Sequence, residues 1–116
     1  MNKICTSQEQ SQKLIELGID RNTADMYYDV NSYGIQSKPE VAVGKVWSKD
    51  IPAWSLTVLL DILPLEIELH KQSDGNIKYY YMEYTTKKTY FASKRYTNPI
   101  DAAFEIICWL LEYKKL

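Results

Sequence analysis

The sequence predicts an α+β fold in which an antiparallel sheet packs against helices, within a single domain that spans residues 1–116. Two observations carry this prediction. Residues 65–84 have the alternating pattern of a β-hairpin, and residues 98–113 have the almost wholly apolar surface of a buried helix. The predicted order of helix, short strands, helix, strands and helix favours an antiparallel sheet over a parallel one.

The hairpin is predicted from the period of two on its first strand. Leu65, Ile67 and Leu69 alternate with polar residues, which indicates a strand with one buried face. Asp74-Gly75 is a strong hairpin turn signal, because the tight turn requires positive φ angles that these residues tolerate. A turn there predicts three apolar pairs: Leu65 with Tyr84, Ile67 with Met82, and Leu69 with Tyr80.

This register has two unfavourable consequences. Glu66 would oppose Glu83, and Lys71 would oppose Lys78, and like charges directly across a sheet are destabilising. We expect both pairs at exposed ends of the hairpin. His70 would lie opposite Tyr79 on the polar face.

Three helices are predicted from capping signals and apolar spacing. A peripheral N-terminal helix begins at Thr6 or Ser7, each of which fits a capping box, and ends before Gly18. A short buried central helix spans residues 55–63, with Ser55 as its cap or with an earlier start at residues 50–52. The mostly buried C-terminal helix begins at Asn98-Pro99.

The remaining strand signals are weaker. Residues 26–28 and 41–47 are strand candidates, and residues 31–40 are predicted to form a loop from their Asn, Ser, Gly and Pro content. Residues 86–93 are predicted to add a third strand to the hairpin, with Lys87-Lys88 at or near the turn.

Bulk properties exclude several classes of function. Fourteen basic and fifteen acidic residues nearly cancel, so the net charge does not indicate a nucleic-acid or membrane partner. The start of the chain lacks the apolar core of a signal peptide, and no apolar run is long enough to span a membrane. Cys5 and Cys108 lie far apart without a CxxC motif. We therefore expect a reduced cytoplasmic protein that does not associate with membranes.

The sequence predicts no catalytic residue, no metal site and no cofactor. His70 is the single histidine, and no cysteine pair or carboxylate cluster accompanies it at metal-ligand spacing. Glu66 and Glu68 share a strand face, a spacing that by itself would suit a paired-carboxylate hydrolase. Alternating charge on a solvent-exposed face is the preferred interpretation.

Tyrosine is the unusual feature of the composition. Six of the ten tyrosines fall within residues 79–96, interleaved with basic side chains. Tyr79 and Tyr81 are predicted to point away from the core, where aromatic side chains suit a protein partner. Stacking of single-stranded nucleic acid is the alternative, with four candidate cations: Lys87, Lys88, Lys94 and Arg95.

Three sequence blocks, residues 5–28, 50–64 and 98–112, resemble a group of short uncharacterised proteins of gut bacteria. Members of that group are encoded in prophage-like or conjugative mobile regions. The resemblance covers most of the chain and implies a small bacterial accessory protein. It supplies no catalytic or binding residues, because no activity is established for the group.

These observations lead to one hypothesis and one alternative. The hypothesis is a cytoplasmic, non-enzymatic accessory protein of a mobile element that binds a protein partner or forms a homo-oligomer. The alternative is a protein that binds single-stranded nucleic acid through the Tyr/Lys-rich sheet surface. The predicted binding surface comprises Tyr79, Tyr81, His70, Glu68 and Tyr33.

Overall fold

In the described part of the chain, three α-helices, two three-stranded antiparallel sheets and one two-stranded sheet form the α+β fold that the sequence predicts. The structure, a computed structural model, describes residues 3–31, 34–35, 39–41 and 50–113. The helices are α1 (Gln8–Glu16), α2 (Leu56–Ile62) and α3 (Pro99–Tyr113). The strands are β1 (Met26–Tyr28), β2 (Val30–Asn31), β3 (Gly34–Ile35), β4 (Glu40–Val41), β5 (Ile51–Ala53), β6 (Ile67–Asp74), β7 (Ile77–Thr85) and β8 (Tyr90–Ala92).

The helix starts follow from local hydrogen bonding, as predicted. The Ser7 side chain accepts from the Gln10 amide, and the Gln10 side chain accepts from the Ser7 amide, which completes a capping box for α1. Ser55 caps α2, so the helix does not begin at residues 50–52. Asn98 accepts from the Asp101 amide at 3.0 Å and begins α3.

The larger sheet, which we term the hairpin sheet, has the strand order β6-β7-β8. Helix α3 covers one of its faces, which we term the inner face, and α2 packs against α3. Trp109 of α3 stacks on Phe91 of β8 with ring centroids 4.4 Å apart, and also contacts Tyr84. The buried members of this main core are Leu14, Trp54, Leu59, Leu63, Met82, Ile100, Ala102, Ala103, Ile106, Ile107 and Leu110.

The smaller sheet has the strand order β4-β1-β5 and borders a second core of Cys5, Met26, Tyr28, Ile51 and Ala53. The sequence did not indicate β5, because three residues containing a proline carry no readable alternation. Pro52 is compatible with a strand there, since β5 lies at the edge of the described sheet. Residues 30–31 and 34–35 pair as β2 and β3, at the start of and within the predicted loop 31–40. Of the predicted strand 41–47, residues 42–47 lie outside the described part of the chain.

The predicted hairpin register is wrong by two residues. Asp74 pairs with Ile77, so Gly75 and Asn76 form the turn, and Gly75 has a φ of 63°. Ile67 therefore opposes Tyr84 and Leu69 opposes Met82. A shift of two preserves which side chains share a face, and for that reason the predicted division into two faces survives.

The observed register removes one of the two like-charge oppositions. Lys71 now lies opposite Tyr80, and Lys78 opposite Ser73. The opposition of carboxylates moves to Glu68 and Glu83.

The inner face was predicted to be buried along its whole length, and this is wrong at Leu65 and Leu69. Leu65 precedes β6 in a turn and is 100% exposed, while Leu69 is 40% exposed. Ile67, Tyr84 and the fully buried Met82 contact the main core.

A polar cluster joins the N-terminal segment, α1 and α3. The Lys3 ammonium donates to Asp101 at 2.7 Å and to the Gln10 side-chain oxygen, while the Gln10 amide nitrogen donates to Asp101. Burial by itself raises the pKa of Asp101. The hydrogen bonds donated by Lys3, Gln10 and Asn98 outweigh burial, and the pKa of Asp101 lies below its ordinary range.

Replacing Gly75 tests the observed turn. Gly75→Ala should lower the free energy of unfolding by about 1 kcal/mol, because a Cβ is strained at positive φ although the surrounding space is open. Gly75→Asn should cost much less, since asparagine tolerates this conformation. Urea unfolding of both variants measures the difference, and equal losses would contradict the turn assignment.

Asp101→Asn tests the polar cluster. The substitution should lower the free energy of unfolding at pH 7 by about 1–2 kcal/mol, because it removes the charge that three donors stabilise. A depressed pKa in the folded state stabilises the fold above the ordinary carboxyl pKa. This contribution is lost as the pH falls through the folded pKa. Urea unfolding at pH 7 and near pH 3 measures the free energy of unfolding of the wild-type protein and of the Asp101→Asn variant. The two values should converge at the lower pH.

The matched control is Asp61→Asn, on the exposed side of α2 near its C-terminal end. An acidic residue there is unfavourable to the helix dipole, so its removal should leave stability unchanged or slightly higher. An Asp101→Asn effect that is identical at both pH values would show that charge is not its cause.

Candidate functional site

The face of the hairpin sheet opposite α3, which we term the outer face, brings together most of the predicted binding residues. Antiparallel cross-strand partners project from the same face of a sheet. The register pairs Glu68 with Glu83, His70 with Tyr81, and Gln72 with Tyr79. Thr85 pairs with Tyr90, which adds Tyr90 to this face.

His70 lies between the two carboxylates. Its Nε2 is 2.6 Å from Glu83 Oε1 and 3.8 Å from Glu68 Oε2. The ring nitrogen is buried, and the Glu83 oxygen lies off the direction of its N–H. The contact is therefore a close one without the alignment of a hydrogen bond. The imidazole lies between the two carboxylates that the register places opposite each other.

Tyr81 completes the contacts of His70. The two rings stack with centroids 4.8 Å apart and an angle of 13° between their planes. Tyr81 also accepts a long hydrogen bond of 3.5 Å from the Gln72 side chain. A ring whose position is restrained in this way loses little conformational entropy when a ligand binds against it.

Glu83 connects β6 to β8. One carboxylate oxygen contacts His70, and the other accepts a hydrogen bond of 2.7 Å from the Tyr90 hydroxyl. This hydrogen bond raises the pKa of Tyr90, because ionisation of the phenol would place two negative charges together. Tyr90 is 62% exposed and Glu68 has a side chain that is 74% exposed, so both remain accessible.

The four predicted cations lie away from the outer face, and Tyr79 lies on it, at the end nearer the hairpin turn. Lys87 and Lys88 occupy the exposed turn between β7 and β8, and Lys94 and Arg95 are exposed after β8. Tyr79 is half-buried near the hairpin turn, opposite Gln72. The predicted Tyr33 lies outside the described residues.

Tyr90 was not placed on the outer face from the sequence. The position of a residue on the third strand depends on the register with β7, and a three-residue strand supplies no periodicity from which to read it. The contacts of Glu83 with His70 and Tyr90 join three strands, so no short stretch of the sequence predicts them.

The two cysteines are poorly suited to nucleophilic chemistry. Burial raises the pKa of the Cys5 thiol, whose sulfur lies 3.7 Å from the Tyr28 hydroxyl. Burial likewise raises the pKa of the half-buried Cys108 to about 11. Both thiols are therefore protonated near neutral pH, and the thiolate is the reactive form.

A cleft of about 450 Å³ lies beside the first turn of α1, lined by Ser7, Gln8, Glu9 and Tyr28. Two of its polar groups have structural partners: Ser7 caps the helix, and the Tyr28 hydroxyl donates to the Thr6 carbonyl at 2.8 Å. The outer face is the stronger candidate site.

Two further observations concern only the part of the chain that the structure describes. It contains no group of three His, Cys, Asp or Glu side chains arranged to hold a metal ion. None of its helices combines the length and apolar character needed to cross a membrane.

Comparisons with protein-family models, with curated proteins and with solved structures found no match to this chain.

Glu83→Gln tests the central contact of the outer face. The pKa of Tyr90 should fall towards its ordinary value of about 10, because the neutral amide no longer penalises the phenolate. NMR titration with ring-labelled tyrosine measures this pKa.

Glu40→Gln is the matched control, because Glu40 accepts a hydrogen bond of 2.8 Å from Tyr27 and raises the pKa of that tyrosine. It should change Tyr27 and leave Tyr90 unaffected. A Tyr90 pKa that is the same with and without the Glu83 carboxylate would contradict the contact.

Proposed function

We propose that this protein is a small cytoplasmic accessory protein of a bacterial mobile element that binds a protein partner through the outer face. The observation that carries the proposal is the arrangement of the half-buried Tyr81 and the exposed Tyr90 around the Glu83 carboxylate. Tyr81 is held by its stack on His70, and Tyr90 is held by Glu83. Tyrosine is enriched in protein interfaces because it supplies rigid contact area with a polar tip.

The charge of the outer face favours a basic partner segment. Glu68, Glu83 and Asp74 contribute carboxylates to this face, whereas its described residues include no lysine or arginine. Arginine and lysine side chains pair with carboxylates and also bind over aromatic rings. A partner strand or helix that presents such side chains would satisfy both features of the surface.

The genetic setting of the proposal rests on sequence resemblance. Residues 5–28, 50–64 and 98–112 resemble short proteins encoded in mobile regions of gut bacteria. An accessory role in such a region is compatible with a small protein whose accessible surface suits recognition.

The nucleic-acid alternative receives less support. Phosphates would be repelled by Glu68 and Glu83 on the face that carries the tyrosines. The four candidate cations do not lie on that face, because Lys87 and Lys88 occupy the turn between β7 and β8 and Lys94 and Arg95 follow β8.

NMR titration with three defined probes tests the proposal. The probes are a peptide rich in lysine and arginine, a glutamate-rich peptide of the same length, and an oligothymidylate. The basic peptide should shift the signals of His70, Tyr81 and Tyr90, and the other two probes should not. Tyr90→Ala should weaken basic-peptide binding about two- to fivefold, the range expected for one exposed cation–π contact.

Tyr113→Ala is the matched control, because Tyr113 is equally exposed but lies on α3. It should leave peptide binding unchanged. Absence of any outer-face shift with the basic peptide would contradict the proposal. Oligothymidylate binding at low salt that is abolished by Lys87→Glu with Lys88→Glu would establish the alternative instead.

A further inference from the structure

Strand β6 forms an edge of the hairpin sheet. Among the described residues it pairs with β7 and with no other strand, although it is eight residues long. An edge strand of this length presents a row of backbone amides and carbonyls that can pair with another strand.

The direction of these backbone groups follows from the hydrogen bonds of β7. Tyr80 exchanges both of its backbone hydrogen bonds with Tyr96, on the side of β7 away from β6. Bonding direction alternates along an antiparallel strand, so Tyr79 and Tyr81 bond towards β6. Their partners on β6 are Gln72 and His70.

The intervening residues of β6 therefore direct their backbone groups towards the open edge. These residues are Ile67, Leu69, Lys71 and Ser73, of which Ile67 also donates its amide to the Pro64 carbonyl at 3.3 Å. Leu69 lies near the middle of the strand and is 40% exposed, and Leu65, just before the strand, is fully exposed. Within the described part of the chain, the edge thus offers the backbone groups of Leu69, Lys71 and Ser73 without a strand partner, together with apolar side chains.

We propose that a second copy of this chain pairs with β6 in antiparallel orientation, with the two-fold axis at Leu69. The two hairpin sheets, each of three strands, then form one continuous six-stranded sheet. Leu69 pairs with Leu69 of the other copy, and their amides and carbonyls, which face the edge, exchange hydrogen bonds. Glu68 pairs with His70 of the other copy, and Ile67 pairs with Lys71.

Charge complementarity selects this register from its neighbours. Moving the axis to His70 would oppose the two imidazoles and place Leu69 opposite Lys71. Moving it to Glu68 would oppose two carboxylates, and moving it to Lys71 would oppose two ammonium groups. With the axis at Leu69 no like charges are opposed, and two Glu–His pairs form on the outer face.

The inference extends the proposed function, because a continuous sheet joins two outer faces into one surface for a partner. It is tested separately, since Leu69 lies on the inner face and Tyr90 lies on the far strand. Loss of pairing through Leu69 would leave peptide binding by each monomer, and loss of peptide binding through Tyr90 would leave the dimer.

Sedimentation equilibrium of the full chain tests whether the dimer forms. Pairing of one edge strand buries less area than a standard interface, so we expect a dissociation constant on the order of micromolar to tens of micromolar. Leu69→Lys should weaken dimerisation at least tenfold, because it places two ammonium groups at the axis. Circular dichroism of this variant checks that the partly exposed position tolerates lysine.

Disulfide formation tests the register. Leu69→Cys should give a disulfide-linked dimer under mild oxidation, because the Cα atoms of such a pair lie about 5.5 Å apart, within the range that a disulfide spans. The matched control is Lys71→Cys on the same edge. Its cysteines would lie about 13 Å apart and should not link, and the wild-type chain controls for Cys5 and Cys108.

A monomer at all concentrations up to millimolar would overturn the proposal. A dimer in which Lys71→Cys links as fast as Leu69→Cys would overturn the register. A dimer that Leu69→Lys leaves unchanged, in a folded variant, would place the interface on another surface. If Leu69→Lys does not fold, the two cysteine variants decide the outcome.

Discussion

The rest of the structure depends on the burial of α3 against the inner face of the hairpin sheet. Ile106 and Ile107 are fully buried with Met82 of β7, and Trp109 stacks on Phe91. Side chains of this size contribute about 1.5–3 kcal/mol each when buried, so this contact is a major source of stability. It also assigns roles to the two faces of the sheet. The face that contacts α3 is occupied, and the opposite face remains for water or a partner.

Trp54 connects the smaller sheet to this main core. Ala53, the last residue of β5, belongs to the second core, whereas the next residue, Trp54, is fully buried in the main core. The Thr6 amide donates to the Trp54 carbonyl at 2.9 Å, and the Trp54 amide donates to Thr6 Oγ1 at 3.1 Å. The Trp54 indole donates to Thr23. The backbone and indole N–H groups of Trp54 are thus satisfied within the chain, which explains how the buried Thr6 is accommodated between two apolar cores.

Local signals predicted the helices, and non-local pairing decided the features that the sequence missed. Ser7, Ser55 and Asn98 cap helices through bonds to residues three positions away, so each start is readable from a few letters. The turn is different, because Asp-Gly and Gly-Asn both suit a tight hairpin and pairing along the whole of β6 and β7 chooses between them. The register error was two residues, an even number, so the predicted assignment of side chains to the two faces remained correct. The cluster of His70, Glu83 and Tyr90 spans three strands, and for that reason no residue spacing in the sequence predicts it.

The pairing of Glu68 with Glu83 is the clearest departure from a sheet built for stability alone. A pair of opposite charges at these two positions would stabilise the sheet, whereas two opposed carboxylates destabilise it. His70 lies 2.6 Å from Glu83, whereas Glu68 is 3.8 Å away and largely exposed. The Glu68 carboxylate is therefore the more accessible of the two. Local rules tend to be broken where a surface has a role besides folding, and a carboxylate held next to stacked aromatic rings is suited to a cationic ligand or to the imidazole of a second copy.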